Sequence, residues 1–452
     1  MDSMASLENA LPTTALPPIA VFSDEQTAAM GLYSKGKNIF LTGPGGTGKS
    51  FLIQKMIEYA KSTKKSCCVC ALTGCAAVLL GCNATTIHSW SGIGTMNGLD
   101  EDVIRRLMKK PNTKDSWRTD ILIVDEVSMM TRRMFELLNK IGQLVRKNKS
   151  PFGGMQVVFV GDFFQLPPVE KDGFCFESDQ WFEVFPKPQH LELKTFFRQS
   201  DPVYIDILMK VRKGSLDKAS IAILEKYVAR DRDQPITKIV PTRKQADFIN
   251  QTMFDKITEP AHTFDALKHT NLTMNMNDGK NLDIYVIRRG ETMSEPEKER
   301  EIESLIKNHN FLPSLQLKIG AQVMCTRNLS VETGIINGSQ GVVVEFVKER
   351  PVVLFANGRR MMMERVLVQS DQYPTLAVEQ YPLSWAWALT IHKIQGCSLT
   401  HAQIDIGNSI FEYGQTYVAL SRVRTMDGLY LMNFQPNRIK SNPKVIAFYD
   451  SL

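Results

Sequence analysis

Asn38-Ile39-Phe40-Leu41-Thr42-Gly43-Pro44-Gly45-Gly46-Thr47-Gly48-Lys49-Ser50-Phe51-Leu52-Ile53 is the stretch that decides the fold. Asn38-Ile39-Phe40-Leu41 is apolar enough to be a buried strand. Gly43 through Ser50 fits G-x-x-x-x-G-K-[ST], and Phe51-Leu52-Ile53-Gln54-Lys55-Met56-Ile57 continues as a helical pattern. The motif therefore stands at a strand-to-helix turn, the context it requires. Gly43, Gly45, Gly46 and Gly48 let backbone N–H groups, that of Thr47 among them, curl around phosphate oxygens. The helix N-terminus adds positive potential there. Lys49 has the reach for β- and γ-phosphates, and the Ser50 hydroxyl suits Mg2+. This loop implies a bound nucleoside triphosphate such as ATP, without saying what its energy does.

Outward from the loop, three more short apolar runs recur at residues 66–72, 121–124 and 156–160, separated by helical stretches. Runs without polar alternation suit parallel strands covered on both faces. The expectation is an α/β, doubly wound first domain over residues 22–193. A second set of runs lies at 238–240, 403–406 and 429–432. A second such domain is expected in two parts, 194–257 and 376–452, around an inserted domain at 258–375. Within the insertion, residues 291–308 are highly charged and read as a solvated helix or loop. Residues 317–368 are rich in Val and Gly, with Asn337-Gly338 and Asn357-Gly358 as hairpin turns, and read as a small β-barrel.

Bulk composition sets bounds. The chain has 452 residues, 43% of them hydrophobic and 23% charged, with net charge +6. That is a globular composition with a mild basic excess, compatible with nucleic acid. No apolar run reaches the roughly 20 residues that span a bilayer, and no membrane partner is expected. Residues 1–21, with Pro12, Pro17 and Pro18, read as a disordered lead-in lacking a secretory signal. Cys67, Cys68, Cys70, Cys75 and Cys82 cluster without zinc-ligand spacing. They read as buried free thiols in a reducing, intracellular compartment.

The catalytic candidates follow from what the loop needs. Ile121-Leu122-Ile123-Val124-Asp125-Glu126 is an apolar strand ending in two acids. Alone it is equally an ordinary charged strand end. Downstream of the loop, Asp125 suits the metal and Glu126 suits polarising a water as general base. Gly161-Asp162-Phe163-Phe164-Gln165-Leu166-Pro167-Pro168 follows the fourth run. It is either a proline-stiffened loop or a sensor whose Gln165 amide reports a γ-phosphate; its place at a strand's carboxyl end favours the second.

Further stretches carry a resemblance: Thr73-Gly74-Cys75-Ala76-Ala77, Thr86-Ile87-His88-Ser89-Trp90, Phe196-Phe197-Arg198-Gln199, Thr390-Ile391-His392-Lys393-Ile394-Gln395-Gly396 and Gln415-Thr416-Tyr417-Val418-Ala419-Leu420-Ser421-Arg422-Val423. In order and content they resemble the Pif (petite integration frequency) family of superfamily-1 DNA helicases, which move 5′→3′. The likeness runs over nearly the whole chain. It implies two RecA-like P-loop NTPase domains with a wedge insertion near 94–115, carrying Arg105, Arg106, Lys109 and Lys110, and a Src-homology-3-like barrel. It also implies that Gln26 reads adenine, that Arg198 and Arg422 point at the γ-phosphate, and that Gln395-Gly396 is a nucleotide-proximal turn, with Gly396 near the nucleotide, coupling the DNA track to ATP. Thr73, Gly74, Thr86, His88, Ser89, His392 and Lys393 match segments lining a single-strand track. His392 is otherwise a core histidine, and Trp385 and Trp387 have core spacing and read as packing. Pro44-Gly45, Phe196 and Ile394 depart from the commoner pattern without removing a chemical group.

The activity implied is a DNA-dependent ATPase and helicase using ATP and Mg2+ in replication, recombination, repair or telomere upkeep. Its partners would be single-stranded DNA, duplex with a 5′ tail, G-quadruplex and RNA-DNA hybrid, with the protein a monomer. A RecD or relaxase-type helicase and a non-unwinding ATP-driven switch are the alternatives. The compartments implied are nucleus, mitochondrion, bacterial cell or viral replication site.

Overall fold

The computed structural model describes residues 22–452 apart from 81, 83, 95, 97, 109–114, 170–171, 231–235, 273–292, 310, 330–333, 336, 371–372 and 374. The expected lead-in at 1–21, and Lys109 and Lys110 of the expected wedge, lie outside the described residues.

The four apolar runs form β1 (Ile39–Thr42), β2 (Cys67–Ala71), β4 (Ile121–Asp125) and β5 (Gln156–Val160), and two short strands that the runs did not signal, β3 (Thr85–Thr86) and β6 (His190–Glu192), join them. They pair in the order β3-β2-β4-β5-β1-β6, every pair parallel. Side chains alternate between two cores because strand residues point to opposite faces. Phe40, Leu122, Val124, Val157 and Phe159 pack with Met134, Phe135 and Leu138 of the helix Arg132–Arg146. Ile39, Leu41, Ile123, Val158 and Val160 pack on the other face with Leu52, Ile53 and Met56 of the helix Lys49–Ser62. The wedge region contributes the helix Asp100–Met108, whose Val103 and Leu107 are buried in the first of these cores. Arg105 stays exposed and pairs with Asp102 at 3.2 Å.

After β7 (Lys238–Val240) the chain enters the insertion. Its strands are β8 (His262–Asp265), β9 (Leu267–His269), β10 (Ser314–Leu317), β11 (Gln322–Cys325), β12 (Gln340–Val347), β13 (Arg350–Phe355), β14 (Arg360–Met362), β15 (Val366–Gln369), β16 (Ala377–Gln380) and β17 (Leu383–Trp385). The five-stranded antiparallel sheet runs β14-β13-β12-β11-β17 and is bulged between Val343 and Glu345. Gly338 and Gly358, both at positive φ, turn the chain between β11 and β12 and between β13 and β14. The membership differs from the expected 317–368. β15 joins β16 and β9 in a separate sheet, while β17 completes the five-stranded one. The insertion's strands therefore continue past residue 375 to Trp385. Trp385 stacks on Phe254 at 4.6 Å and Trp387 is buried, so both pack. The charged stretch forms the helix Glu295–Asn308, and it is not wholly solvated: Ile302, Leu305 and Ile306 bury against Val368 and Val378.

The chain then returns as β18 (Ala388–Thr390), β19 (Ala402–Ile406) and β20 (Leu429–Phe434), giving a parallel sheet in the order β18-β7-β19-β20. The last helix, Pro443–Asp450, does not stay with this second domain, where residues 376–452 were expected. Its Val445 and Phe448 enter the first domain's aromatic core, with Phe448 stacked on Phe176 at 4.3 Å. Phe40, Phe163, Phe176 and Trp181 of the first domain all lie within ring-contact distance of Phe448.

The same face carries a buried ion pair between the domains. Arg212, on the helix Pro202–Lys213, donates to Asp162 at 2.9–3.2 Å and to Glu192 at 3.3 Å. Arg212 is 2% and Asp162 0% exposed. The guanidinium lies over Phe164 at 4.5 Å and Tyr449 at 5.4 Å. The Tyr449 hydroxyl meets Thr42 Oγ1 at 2.5 Å and accepts from the Phe163 N–H at 3.3 Å. Burial alone would lower the Arg212 pKa; Asp162 beside it reverses the sign and holds it above the usual arginine range. Among the described residues, no helix is long and apolar enough to cross a membrane.

Candidate nucleotide and nucleic-acid site

The loop from Gly43 to Ser50 lies at the carboxyl end of β1, against the second domain. Gly46 has φ +93°, and a Cβ there would lie 2.7 Å from Arg198 Cβ. A Cβ at Gly48 would lie 2.8 Å from Gln26 Nε2. These glycines thus permit the approach of neighbouring residues as well as of a phosphate. The Gly45 N–H donates to the Tyr417 hydroxyl at 2.9 Å. The Gly46 carbonyl accepts from the Phe197 and Arg198 N–H groups at 2.9 and 3.3 Å. Thr47 is buried, its hydroxyl on Pro44 O at 2.9 Å. Lys49 Nζ donates to Gly43 O at 2.7 Å and Pro44 O at 2.9 Å, held over the hollow of its own loop. Gly43, Gly45, Gly46, Gly48, Lys49 and Ser50 all stand at this one turn, beside a cleft of about 430 Å3 that Gly396 also lines.

Asp125 and Glu126 close the floor. Burial, and then the Glu126 charge, push Asp125 up to about 7, while the Glu126 N–H at 2.8 Å and Lys49 pull it back. Lys49 is lowered, chiefly by burial, against the attraction of Asp162, Glu126 and Asp125. Glu126 occupies left-handed backbone space at φ 56°, ψ 39°, uncommon for this residue type. Its Oε2 accepts from Gln395 Nε2 at 2.9 Å. A buried carboxylate raised by a second one is a place where a divalent cation is stabilising. Among the described residues no three His, Cys, Asp or Glu converge to hold a metal alone. Ser50 and Asp125 therefore fit Mg2+, which takes one or two protein ligands and completes its shell with phosphate and water.

Opposite stand Arg198 and Arg422. Arg422 is 2% exposed and donates to Val418 O at 3.0 Å and Ser421 Oγ at 2.9 Å. Arg198 donates to Ser421 O at 3.2 Å. Burial, then the neighbouring Arg422 charge, bring Arg198 down to about 10. Among the described residues, neither guanidinium has a carboxylate at ion-pair distance. Gln26 Nε2, Gln165 Oε1 and Gln199 Oε1 are buried without a hydrogen-bond partner. Two crowded cations and unsatisfied amides around one cleft are costly by themselves. A polyanion carrying a hydrogen-bonding base would satisfy both, so the donor set fits a nucleoside triphosphate.

The expected track residues fall into two groups. Thr73-Gly74 and Thr86 lie just past or at the ends of the paired strands β2 and β3, so packing brings them together with His88 and Ser89. The Thr73 and Thr86 hydroxyls accept from Ala76 N and Ser89 N at 3.2 Å each, capping their helices, which leaves their O–H protons to donate outward. His392 and Lys393 follow β18 in the second domain, both exposed, which removes the core alternative for His392.

Sequence reasoning missed four participants. Tyr417, which binds the loop, and Gln199, which donates to Ser421 O and Val423 O, lay inside quoted motifs without an assigned role. Phe197 is 58% exposed, with its ring edge 3.4 Å from a Cβ placed at Gly48, so it walls the cleft beside Gln26. Arg212 sits on an ordinary amphipathic helix and carries no local signal.

A family model described as PIF1-like helicase matches residues 21–220, and one described as DNA helicase Pif1, 2B domain, matches 303–346. The ATP-dependent DNA helicase Pif1 of Bdellovibrio bacteriovorus is 34% identical over 435 residues, covering 94% of this chain and 91% of that protein. The ATP-dependent DNA helicase PIF1 of Danio rerio is 34% identical over 457 residues, covering 98% of this chain and 66% of that protein. The chain thus spans just under two thirds of the zebrafish relative's length. Among solved structures, Pif1 helicase from Candida albicans superimposes with TM-score 0.73 at 30% identity, over 96% of this chain and 99% of that one. Bacteroides Pif1 in complex with ADP-AlF4 and bound to ssDNA gives 0.70 and 0.64, each at 26% identity over 96% of this chain and 97% of that one.

Proposed function

Because the chain belongs to the PIF1-like helicase family, we propose that it hydrolyses ATP to move 5′→3′ along single-stranded DNA and displace the opposing strand. The observation that carries this reading is the pair Arg198, half-buried, and Arg422, buried, which have no carboxylate at ion-pair distance among the described residues and face the Lys49 loop across two domains. ATP with Mg2+ supplies a phosphoryl bond whose hydrolysis releases free energy. Lys49, Arg198 and Arg422 hold the phosphate charge from three sides. Ser50 and Asp125 would hold the cation, which would offset phosphate charge, and Glu126 would take a proton from the attacking water. Gln165 senses the γ-phosphate position. Gln26 reads the edge of the base while Phe197 offers it an apolar face. Closure of the cleft then depends on charge that hydrolysis removes, so the domains alternate between closed and open.

Thr73, Gly74, Thr86, His88 and Ser89 on the first domain and His392 and Lys393 on the second would grip DNA in turn, through phosphates rather than base edges. Bacteroides Pif1, solved in complex with ADP-AlF4 and bound to ssDNA, supports both ligands for a relative. Forks, RNA-DNA hybrids and G-quadruplexes are the substrates this reading extends to, with a monomer as the working unit. Nucleus, mitochondrion or viral replication site is where it would act in genome maintenance, and the five-stranded module is its Src-homology-3-like insertion. The test is unwinding of matched 5′-tailed, 3′-tailed and quadruplex-containing duplexes with ATP and Mg2+. Opening of the 5′-tailed substrate is expected; efficient opening from a 3′ tail alone would refute the polarity. Lys49→Ala should lower hydrolysis by about 10²-fold or more and leave DNA binding nearly intact. Retained hydrolysis would refute the site.

A further inference from the structure

The edge of the first domain's sheet where the strands begin, opposite the phosphate loop, carries lysines that neither the nucleotide site nor the expected track uses. The strands are parallel, so they all start on this edge and segments far apart in sequence meet there. Lys37 stands before β1, Lys61, Lys64 and Lys65 before β2, and Lys147 and Lys149 before β5. All six are exposed, and none has a carboxylate at ion-pair distance among the described residues. Most acids nearby are engaged elsewhere. Asp120 Oδ2 accepts from Ser66 N and Oγ at 2.8 and 2.7 Å, Asp115 pairs with Arg118 at 3.0 Å, and Glu58 pairs with Lys55 at 2.7 Å. Lys37, Lys65 and Arg146 line a groove of about 480 Å3 with Asn38, Ser150 and Gln189, and Asp120 and Glu183 are its acids. Arg146 is fixed in the wall by Nε and Nη1 bonds to the Gly153, Trp117 and Thr119 carbonyls at 2.9–3.0 Å.

Helix capping accounts for part of this charge. The helices Asp24–Ser34, Lys49–Ser62 and Arg132–Arg146 all end at this edge, and each C-terminus carries about half a negative charge, roughly 1.5 charges together against six lysines. At two positions the backbone itself favours another residue. Lys64 and Lys147 hold left-handed φ of 56° and 52°, where glycine follows a helix without strain. What lysine supplies there, at a conformational cost, is charge and reach. Crowded, unpaired cations fit a polyanion. The groove lining has no aromatic ring among the described residues, so it lacks the stacking platform of a single-strand site. Lysines that touch phosphates without reading bases suit the regular backbone of a duplex. Strands of four or five residues put roughly 15 Å between this edge and Thr73 and Thr86 at the other.

We propose that this edge is a second, sequence-independent DNA site, which holds the phosphate backbone of double-stranded DNA on its six lysines, apart from the single-strand track. Duplex held there stays with the motor while the track releases and regrips its single strand. The choice of DNA as the polyanion rests on the helicase reading above.

The experiment is fluorescence anisotropy of a labelled blunt duplex of about 20 base pairs, without tails, titrated with the full chain at about 50 to 200 mM salt. Wild type, Lys64→Gly/Lys147→Gly and Lys37→Glu/Lys65→Glu are compared. The glycine pair removes two charges while relaxing the backbone, so its thermal midpoint should not fall and lost binding is not lost fold. It should weaken duplex binding about tenfold and lower the slope of log K against log salt by about 1.8, two phosphate contacts at about 0.9 each. Lys37→Glu/Lys65→Glu should weaken binding about 10²-fold, since it adds repulsion. Kd for oligothymidylate should stay within about twofold in both variants, because the track lies at the other edge. If wild type shows no ATP hydrolysis with oligothymidylate while these duplex results hold, the helicase reading fails and the DNA site stands. Failure of wild type to bind the duplex, variants within about twofold of wild type, or equal losses for duplex and oligothymidylate would each overturn the proposal. So would tighter binding, through the same lysines, to polyglutamate or to vesicles of phosphatidylcholine and phosphatidylglycerol in equal parts, which would assign the edge to another polyanion.

Discussion

The two sides of the boundary between the parallel-sheet domains are built on opposite principles. At the front, the Lys49 loop faces Arg198 and Arg422, cations with no carboxylate at ion-pair distance among the described residues, beside amide atoms of Gln26, Gln165 and Gln199 that have no partner. At the back, Arg212 is bidentate to Asp162, also bonded to Glu192, and lies against Phe164 and Tyr449, whose rings stack on each other. The difference teaches where motion and stability reside. A satisfied, aromatic-walled ion pair keeps its geometry when a ligand comes and goes. A set of crowded cations is held together by ligand charge and relaxes when that charge leaves. In the proposed cycle of closing and opening, the back would serve as pivot and the front as jaw. The closing helix Pro443–Asp450 strengthens the pivot by tying the end of the second domain into the first domain's core.

The sharpest way to break this contrast is Arg422→Ala. It should lower kcat for ATP hydrolysis by about 10³-fold or more. The thermal midpoint without nucleotide should move by the equivalent of no more than about 1 kcal/mol, since one of two repelling cations is gone. A collapse of the nucleotide-free protein would put Arg422 in the pivot. Arg212→Ala is the mirror test, expected to cost about 3–5 kcal/mol by leaving Asp162 buried and alone. Thermal unfolding of Arg212→Met/Asp162→Leu should show a smaller loss than Arg212→Ala; a larger loss would mean that the charges themselves are required. Phe197→Ala, at the front but away from the phosphates, should raise KM for ATP about fivefold with kcat nearly unchanged, a loss of about 1 kcal/mol of binding. A fall in kcat with KM constant would move Phe197 into the reaction. Tyr449→Phe should be mildest, about 0.5–1 kcal/mol in thermal unfolding, as its hydroxyl leaves Thr42 and Phe163 while its ring stays. No measurable change would remove that hydroxyl from the pivot.

Much of the nucleotide half was legible because its signals are local. The strand, the glycines, Lys49 and Ser50 lie within one turn of chain, and the acid pair ends a continuous apolar run. The four apolar runs of the first domain each become a parallel strand, with boundaries shifted by about one residue, the usual fraying of such assignments. Legibility falls as partners separate along the chain. The sheet membership of residues 317–368 differs from the expectation because β15 and β17 read alike as short apolar strands, and only pairing decides which sheet each joins. Arg212 and Tyr449 gave no signal, since an arginine on an amphipathic helix is ordinarily solvated. Gln395 was expected from the resemblance in a turn coupling the track to ATP, but nothing local says that its amide ends on Glu126.

By itself the sequence determined which chemical groups this protein carries and the order in which strand, loop and helix present them, because backbone sterics and hydrophobic periodicity act over a few residues. Only the tertiary structure decided which groups face one another. It set two arginines from the second domain against the loop of the first and sent the last helix home to an aromatic core it follows by hundreds of residues. It also made an amide of one domain the neighbour of a carboxylate in the other. Those choices come from burying apolar surface and satisfying buried charge across the whole chain, and no short window of sequence contains that balance.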